Sequence, residues 1–143
     1  MKKLTITRPK ENFNQGISYK IFIGDNMLTE LKNGTKETFE IPAKFENKSI
    51  KAKIQKYWGS EKMQLDSLSE NETLNIKGNK FLNKRALFIV ALLPLTGALL
   101  FGYGRENLVI KNIGIGLFIL ILFFAVGFLT IGHNKWLKIE KKD

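Results

Sequence analysis

The sequence ALFIVALLPLTGALLFGYG at residues 86–104 and the sequence IGIGLFILILFFAVGFLTIG at residues 113–132 decide how this chain is organised. Both stretches are strongly apolar, and neither contains Asp, Glu, Lys or Arg. A helix needs about 20 such residues to cross the hydrocarbon core of a bilayer. The two stretches therefore predict two transmembrane helices, joined by an outer loop at residues 105–112.

Charge and hydropathy divide the chain into a polar front and an apolar back. Residues 1–85 contain 17 Lys and Arg against 10 Asp and Glu, whereas residues 86–143 contain 6 against 3. The front is long enough for one small domain with a modest core. We predict a cytoplasmic β-sandwich domain at residues 1–80, a basic linker at 81–85, transmembrane helices at 86–104 and 113–132, and a basic cytoplasmic tail at 133–143.

The basic residues that flank the two apolar stretches predict the orientation of the chain. The flanks contain Lys77, Lys80, Lys84 and Arg85 on one side and Lys135, Lys138, Lys141 and Lys142 on the other, whereas the connection contains Arg105 and Lys111. Short cytoplasmic segments carry an excess of Lys and Arg. We therefore predict a multi-pass protein of an inner or plasma membrane with both termini in the cytoplasm.

Alternation of apolar and polar residues with period two dominates the chain before residue 80 and predicts strands. Seven segments show it, at residues 4–6, 17–23, 27–32, 38–41, 50–55, 63–65 and 74–76. Gly24 marks a turn, and Asn33-Gly34 predicts a hairpin between the third and fourth strands. The predicted fold class is an α+β membrane protein, with an N-terminal seven-stranded antiparallel β-sandwich followed by two transmembrane α-helices. A seven-stranded barrel of the pleckstrin-homology type is the alternative.

Several strand and turn motifs of the front domain resemble those of the small PEGA-type sandwich domains and of similar domains of unknown function in bacterial envelope proteins. The motifs are Ile6-Thr7-Arg8-Pro9, Tyr19-Lys20-Ile21-Phe22-Ile23, Leu31-Lys32-Asn33-Gly34-Thr35, Phe39-Glu40-Ile41-Pro42 and Ile50-Lys51-Ala52. The resemblance covers roughly residues 3–78. It implies a module for interaction or surface binding. The chain departs from the pattern in having Pro42-Ala43 in place of a Pro-Gly turn.

The residues needed for the common catalytic sites do not occur together. The chain has no Cys, and its one His, at position 133, lies outside the front domain, so neither a Ser-His pair nor a Cys nucleophile is available there. No glycine-rich loop of the phosphate-binding type occurs. We therefore predict a protein that is not an enzyme, with no metal and no cofactor.

Lysines cluster around the fifth predicted strand. They are Lys44, Lys48, Lys51, Lys53 and Lys56, with Lys62 close by. One interpretation is a solvated face with lysines that protect a sheet edge, and the other is a strand that faces an anionic lipid surface. Only 3 of the 23 basic residues are Arg, which argues against nucleic acid as a partner.

Tyr57 and Trp58 follow the same strand, where Lys56 interrupts the alternation and predicts a β-bulge. Two neighbouring aromatic residues either cover the core or the membrane surface, or stack on a sugar or peptide. In the first apolar stretch, Pro94 predicts a kink. Gly97, Ala98 and Gly102 are small residues that predict close packing between helices.

The sequence favours two functions, and a third, a component of an oligomeric small channel or transporter, would need several copies of the helical hairpin. The first is a membrane-anchored β-domain without catalysis, acting as an accessory or scaffold subunit of a larger membrane protein assembly. The second is a membrane-tethered sensor that binds a lipid headgroup, a sugar or a peptide. Both predict membrane lipids as partners, and the first adds other membrane protein subunits or further copies of the chain.

Overall fold

The computed structural model describes residues 2–55, 58–130 and 132–142. The chain forms two compact units, one made of Met1–Asn79 together with His133–Asp143 and the other of Lys80–Gly132. We call them the β-unit and the helical unit. The residues that follow the helices thus belong to the same compact unit as the front of the chain.

All seven strands that the alternation predicts are present. They are β1 (Lys2–Thr7), β2 (Tyr19–Ile23), β3 (Asn26–Leu31), β4 (Lys36–Ile41), β5 (Ser49–Lys53), β6 (Met63–Gln64) and β7 (Asn71–Gly78). The apolar residues of the pattern, such as Ile6, Ile21 and Ile50, are fully buried. Alternation marks these strands because one face of each sheet covers the core while the other meets water.

An eighth strand, β8 (Leu137–Lys141), lies in the predicted tail and pairs with β7 in antiparallel fashion. In the described residues the strands form two four-stranded sheets, in the orders β4-β1-β7-β8 and β3-β2-β5-β6. We call them sheet A and sheet B. Because β1 and β7 run parallel, sheet A is mixed. The prediction of a seven-stranded antiparallel sandwich that precedes the membrane helices is therefore wrong.

The turn at Asn33-Gly34 does not close a hairpin. Gly34 has φ of +75°, and the Thr35 N–H donates to the Lys32 carbonyl at 3.2 Å, so a tight turn is present. However, β3 belongs to sheet B and β4 to sheet A, and this turn carries the chain from one sheet to the other. The hairpin of this region is the one at Gly24, between β2 and β3, where φ is +58°.

Gly59 joins the two sheets at one side of the β-unit. It forms an isolated bridge with Lys53 of sheet B, and its carbonyl accepts a hydrogen bond of 3.0 Å from the N–H of Leu137 in sheet A. A Cβ at this position would lie 2.5 Å from the carbonyl oxygen of Ala52. Only glycine permits this approach, which brings β5 and β8 together.

The helical unit consists of α1 (Lys80–Gly97), a π-helical turn (Ala98–Gly102), a 3-10 turn (Tyr103–Arg105) and α2 (Leu108–Thr130). Among the described residues, α2 alone is long and apolar enough to cross a membrane, over Leu108–Gly127. The prediction of two transmembrane helices is therefore wrong.

The first apolar stretch fails this test for two reasons. α1 begins at Lys80, just before the predicted basic linker, and takes in Lys84 and Arg85 as well, and the regular helix ends at Gly97 inside the stretch. Pro94 cannot donate a backbone hydrogen bond, and Gly97 and Gly102 have low helix propensity. The remainder of the stretch is divided between the π-helical and 3-10 turns.

The predicted outer loop and second helix are shifted as well. The side-chain carbonyl of Asn107 accepts hydrogen bonds from the N–H groups of Val109 (3.0 Å) and Ile110 (3.3 Å), so Asn107 caps a helix that begins at Leu108. Lys111, predicted in the loop, lies in the first turn of α2.

The close approach within the helical unit is made by glycines other than the predicted ones. A Cβ at Gly97 or Gly102 would meet no atom within 4 Å. At Gly114 it would lie 3.0 Å from the Leu100 side chain, and at Gly104 it would lie 3.1 Å from the Lys111 backbone. Pro94 and Ala98 are exposed. The segment after α1 thus packs on α2 through Gly104 and Gly114.

Candidate functional site

The predicted basic strand forms part of a groove on the outer face of sheet B. Lys51 and Lys53 alternate on β5 with the buried residues Ile50 and Ala52, so both lysines face away from the core. The groove has a volume of about 450 Å³ and is lined by Phe22, Gly24, Asp25, Ser49, Lys51, Lys53 and Lys62. We call it the basic groove. Lys56 lies outside the described residues.

The register of the sheet places Phe22 beside the lysines of the basic groove. Phe22 of β2 pairs with Lys51 of β5, and Lys20 pairs with Lys53 one step along the same ladder. The ammonium of Lys53 lies 4.9 Å from the centre of the Phe22 ring. Directly opposed residues on one face of an antiparallel pair have Cβ atoms about 5 Å apart, so Lys20 and Lys53 repel each other.

The positive charge of the groove has little compensation. Lys51, Lys53 and Lys62 line it against one carboxylate, that of Asp25. Within the described residues, no ion pair joins any of these three lysines to a carboxylate. Burial lowers the pKa of Lys51, and the charges of Lys53 and Lys62 lower it further. The Lys51 ammonium donates a hydrogen bond of 2.9 Å to the side-chain carbonyl of Asn134.

Lys44 and Lys48 have a different setting from the strand lysines. Their ammonium groups lie 5.1 Å and 5.3 Å from the centre of the Phe45 ring, in the 3-10 turn Ala43–Phe45 and the loop before β5. Both are exposed. The side chain of Lys48 also passes over Gly24, at 3.0 Å from the position that a Cβ would take there, so it borders the basic groove.

Trp58 does not stand free as a stacking surface. Its ring centre lies 5.4 Å from that of Trp136, with the planes inclined by 32°, and both rings pack against the core. Trp136 immediately precedes β8, so its contact with Trp58 accompanies the closure of the two sheets. Tyr57, the other member of the predicted pair, lies outside the described residues. No ligand role is required to explain the position of Trp58.

Arg8 is a buried residue that the sequence analysis did not single out. It is 0% exposed, and its guanidinium lies 3.6 Å from the centre of the Tyr19 ring. It donates hydrogen bonds to the carbonyls of Ile17 (2.5 Å), Leu31 (3.1 Å) and Asn14 (2.8 Å). In the sequence, the position of Arg8 next to Pro9 and between two predicted strands was the available sign of a structural role. These contacts fix the loop between β1 and β2.

Glu11 completes this buried polar cluster. It accepts a hydrogen bond of 2.6 Å from the Tyr19 hydroxyl and another of 2.6 Å from the Gly78 N–H, and it forms an ion pair with Arg8. Burial, followed by the hydrogen bond to Glu11, raises the pKa of Tyr19 to about 12. Within the described residues the Nε of Arg8 has no hydrogen-bond partner, but the other contacts of the cluster tie the loop to the end of β7, which is a structural role.

The helical unit exposes a large apolar surface. Large hydrophobic residues are exposed along α2 from Leu108 to Val126, among them Val109 (67%) and Phe123 (80%). A separate apolar groove of about 370 Å³ lies between α1 and α2 and is lined by Phe88, Ile89, Leu92, Leu117, Leu120, Ile121 and Phe124. Water-soluble monomers rarely expose continuous apolar surface on this scale.

Comparison of the chain with protein-family models, curated proteins and solved structures finds no match. The resemblance to PEGA-type domains therefore stays a prediction. Within the described ranges, no group of three or more His, Cys, Asp or Glu side chains is placed to hold a metal ion.

Proposed function

We propose that the helical unit anchors this chain in a lipid bilayer, and that the β-unit acts without catalysis as an accessory or scaffold part of a larger membrane protein assembly. The observation that carries the anchor is the exposure of α2. Only 11% of its most apolar 18-residue window is buried. A core helix of a soluble protein is mostly buried, so the exposure favours lipid as the medium that covers α2.

The pairing of β7 with β8 constrains how the helical unit enters the membrane. The chain leaves sheet A after Gly78 and returns to it at Leu137, and these two residues are paired neighbours. A single crossing by α2 would separate them by the thickness of the hydrocarbon core, about 30 Å. We therefore propose that the helical unit enters and leaves the bilayer on the same side.

We place the β-unit on the cytoplasmic side. The residues that leave and rejoin sheet A include Lys77, Lys80, Lys135 and Lys138, whereas Arg105 and Lys111 are the basic residues near the far end of α1 and the start of α2. The excess at the sheet favours the cytoplasmic face of an inner or plasma membrane.

The outer face of sheet A supports a role in assembly. Thr38, Thr5 and Thr73 lie in one row across β4, β1 and β7, and Thr7 pairs with Asn75 in the next row. Uncharged residues at the centre of a flat surface are typical of the core of a protein interface. The side-chain oxygen of Asn75 is buried and, within the described residues, accepts no hydrogen bond. A partner that donates to it would complete this surface.

Extraction and purification from native membranes test the two parts of the proposal separately. If the helical unit is an anchor, alkaline carbonate should leave the chain in the membrane pellet, and release into the supernatant would contradict the anchor. Purification in a mild detergent should then yield a partner in fixed stoichiometry.

A pair of single substitutions makes the partner test specific. Thr5→Arg places a charge in the middle of the threonine row and should abolish the partner, while Gln15→Arg in the exposed loop before β2 should retain it. Membrane retention without any stoichiometric partner would leave the anchor standing and overturn the role as a subunit.

A further inference from the structure

We propose that the basic groove is a binding site for a phosphate group. The groove is formed by Lys51, Lys53 and Lys62 around the ring of Phe22. The phosphate comes either from a lipid headgroup or from a small soluble phosphate compound, since both present the same anionic oxygens. The site requires only the β-unit, whereas a lipid headgroup as the source also rests on the membrane anchor proposed above.

The unbalanced charge of the groove is the first argument. Lys51 and Lys53 of β5 and Lys62, which immediately precedes β6, line one groove, and the described residues supply no ion-paired carboxylate to them. Lys53 faces Lys20 across the β2–β5 ladder, and Glu30 of β3 faces Lys20 on its other side, so one carboxylate offsets part of the repulsion between the two lysines. A bound anion would relieve this repulsion. Burial is the larger cause of the lowered pKa of Lys51, and the nearby charges of Lys53 and Lys62 lower it further.

The restricted conformation of the lysine side chains is the second argument. Lys51 is held by its hydrogen bond to Asn134, and Lys53 lies over Phe22. Both side chains are half-buried and are positioned by contacts rather than extended into water. Less conformational entropy is therefore lost when an anion binds them.

The size and chemistry of the groove select the ligand. A volume of about 450 Å³ is within the range of small-molecule sites and exceeds what a bare phosphate fills. Lysine binds phosphate as a point charge, without the planar fork that arginine offers to bases and carboxylates. The ammonium of Lys53 lies 4.9 Å from the centre of the Phe22 ring and competes with any nucleobase that would stack there.

Gly24 sets the rim of the site. Its φ of +58° forms the β2–β3 turn, and its N–H donates to the Ser49 carbonyl at 2.9 Å. The absence of a side chain leaves room for Lys48, which lies 3.0 Å from the position of a Cβ. A fourth ammonium group is thereby brought to the rim of the basic groove.

The test uses the full chain in a neutral detergent and inorganic phosphate as the first probe, with sodium chloride at equal ionic strength as the reference. Binding is measured by calorimetry. The double substitution Lys51→Gln, Lys53→Gln should weaken phosphate binding by about 30-fold. This fold-change corresponds to a loss of about 1 kcal/mol of binding free energy for each lysine. Lys3→Gln with Lys36→Gln on sheet A removes the same charge and should change binding by less than about twofold. The thermal unfolding midpoints of all three proteins identify any variant that fails to fold.

The second probe is a set of vesicles, one of phosphatidylcholine and one in which part of that lipid is replaced by phosphatidic acid, each carrying the reconstituted chain. A lipid headgroup site is identified if the chain binds phosphate and if phosphatidic acid also protects Lys51 and Lys53 from amine-reactive reagents. Phosphate binding without this protection identifies a soluble phosphate compound, and the site stands. Equal phosphate binding by the groove and control variants would overturn the proposal. So would binding of a 20-nucleotide RNA without binding of phosphate, which would make the groove a nucleic-acid surface.

If a folded groove variant stays in the membrane pellet after carbonate but loses phosphate binding, the site and the anchor are separate properties. If the chain is released by carbonate yet still binds inorganic phosphate in detergent, the anchor fails and the phosphate site stands.

Discussion

Gly78 of β7 pairs with Leu137 of β8, although the whole helical unit lies between them in the chain. The same junction is held by Asn79, whose N–H donates to the Trp136 carbonyl and whose side-chain amide donates to the Lys135 carbonyl, each at 2.9 Å. Leu137 is buried in the core. The β-unit is therefore closed by a strand that the chain supplies only after both helices.

The β-unit is expected to fold only when β8 is present. A protein of residues 2–79 joined through about five Gly and Ser residues to residues 133–142 should show a β-rich far-UV circular dichroism spectrum and cooperative unfolding in urea. Residues 2–79 alone should not, because β7 would have an open edge and the site of Leu137 would be empty. Cooperative unfolding of residues 2–79 with an unchanged midpoint would show that β8 is dispensable.

Gly59→Ala should destabilise this joined β-unit by about 1–3 kcal/mol. The added Cβ would lie 2.5 Å from the Ala52 carbonyl oxygen, so the contact between the sheets must open. The matched control is Gly16→Ala, where a Cβ meets no atom within 4 Å and the free energy of unfolding should change little. Urea unfolding measures both, and equal stabilities would refute the role of Gly59 in closing the sheets.

The stability of the β-unit should fall as the pH rises above about 10, in part because of Tyr19. Its pKa is raised from 10.0 to about 12 in the folded protein, so the folded state holds the proton more tightly than the unfolded state does. The resulting stabilisation is fully present below pH 10.0 and is lost as the pH rises through about 12.

Tyr19→Phe isolates this contribution from the lysines that titrate in the same range. It should lower the free energy of unfolding by about 1–2 kcal/mol at neutral pH, since Glu11 loses a hydrogen bond. The difference between the two proteins should shrink between pH 10 and pH 12. Urea unfolding at a series of pH values measures it, and a constant difference would contradict the coupling of Tyr19 to folding.

Gly114→Val should loosen the helical unit. The larger side chain would collide with Leu100, which already lies 3.0 Å from the position of a Cβ. Gly116→Val is the control on the same helix, because no atom lies within 4 Å there. Thermal unfolding of the full chain in detergent, followed by the helical circular dichroism signal, should show a lower midpoint for Gly114→Val alone. Equal midpoints would place the close approach elsewhere.

Cysteines at Lys77 and Lys138 should react alike with a membrane-impermeant maleimide. The two residues are paired across β7 and β8, and the chain contains no other Cys. On the proposed cytoplasmic side, both should be unreactive in intact cells and reactive after permeabilisation. Reaction of one of them alone in intact cells would mean that a membrane separates the strands, which would contradict their pairing.

The sequence by itself determined the local features of the fold. Residues such as Leu4, Ile6, Ile21 and Ile23 alternate with polar neighbours, and this pattern depends only on which face of a strand is buried, so the seven strands could be predicted. The turn at Gly24 is local in the same sense. The cluster of lysines around β5 was also visible, because Lys51 and Lys53 occupy alternate positions of one strand.

Only the tertiary structure decided which strands are neighbours. The pairings of β1 with β7 and of β7 with β8 join residues distant in sequence, and the short turn after β3 leads into the other sheet rather than into a hairpin. Alternation carries no information about the partner of a strand. Leu137 and Ile139 alternate with Lys138 and Glu140 as in any strand. Their position after two apolar stretches favoured a tail, because the β7 edge that they complete could not be seen.

The same reason applies to the candidate site and to the helices. Lys62 and Asp25 join Lys51 and Lys53 only through the folded sheet, and Arg8 is buried because Glu11 and three carbonyls converge on it from separate segments. In the first apolar stretch, composition indicated a span, but backbone hydrogen bonding ends the regular helix at Gly97. Side-chain periodicity is set by the local chain, whereas pairing, burial of charge and helix continuity depend on the neighbours that folding brings together.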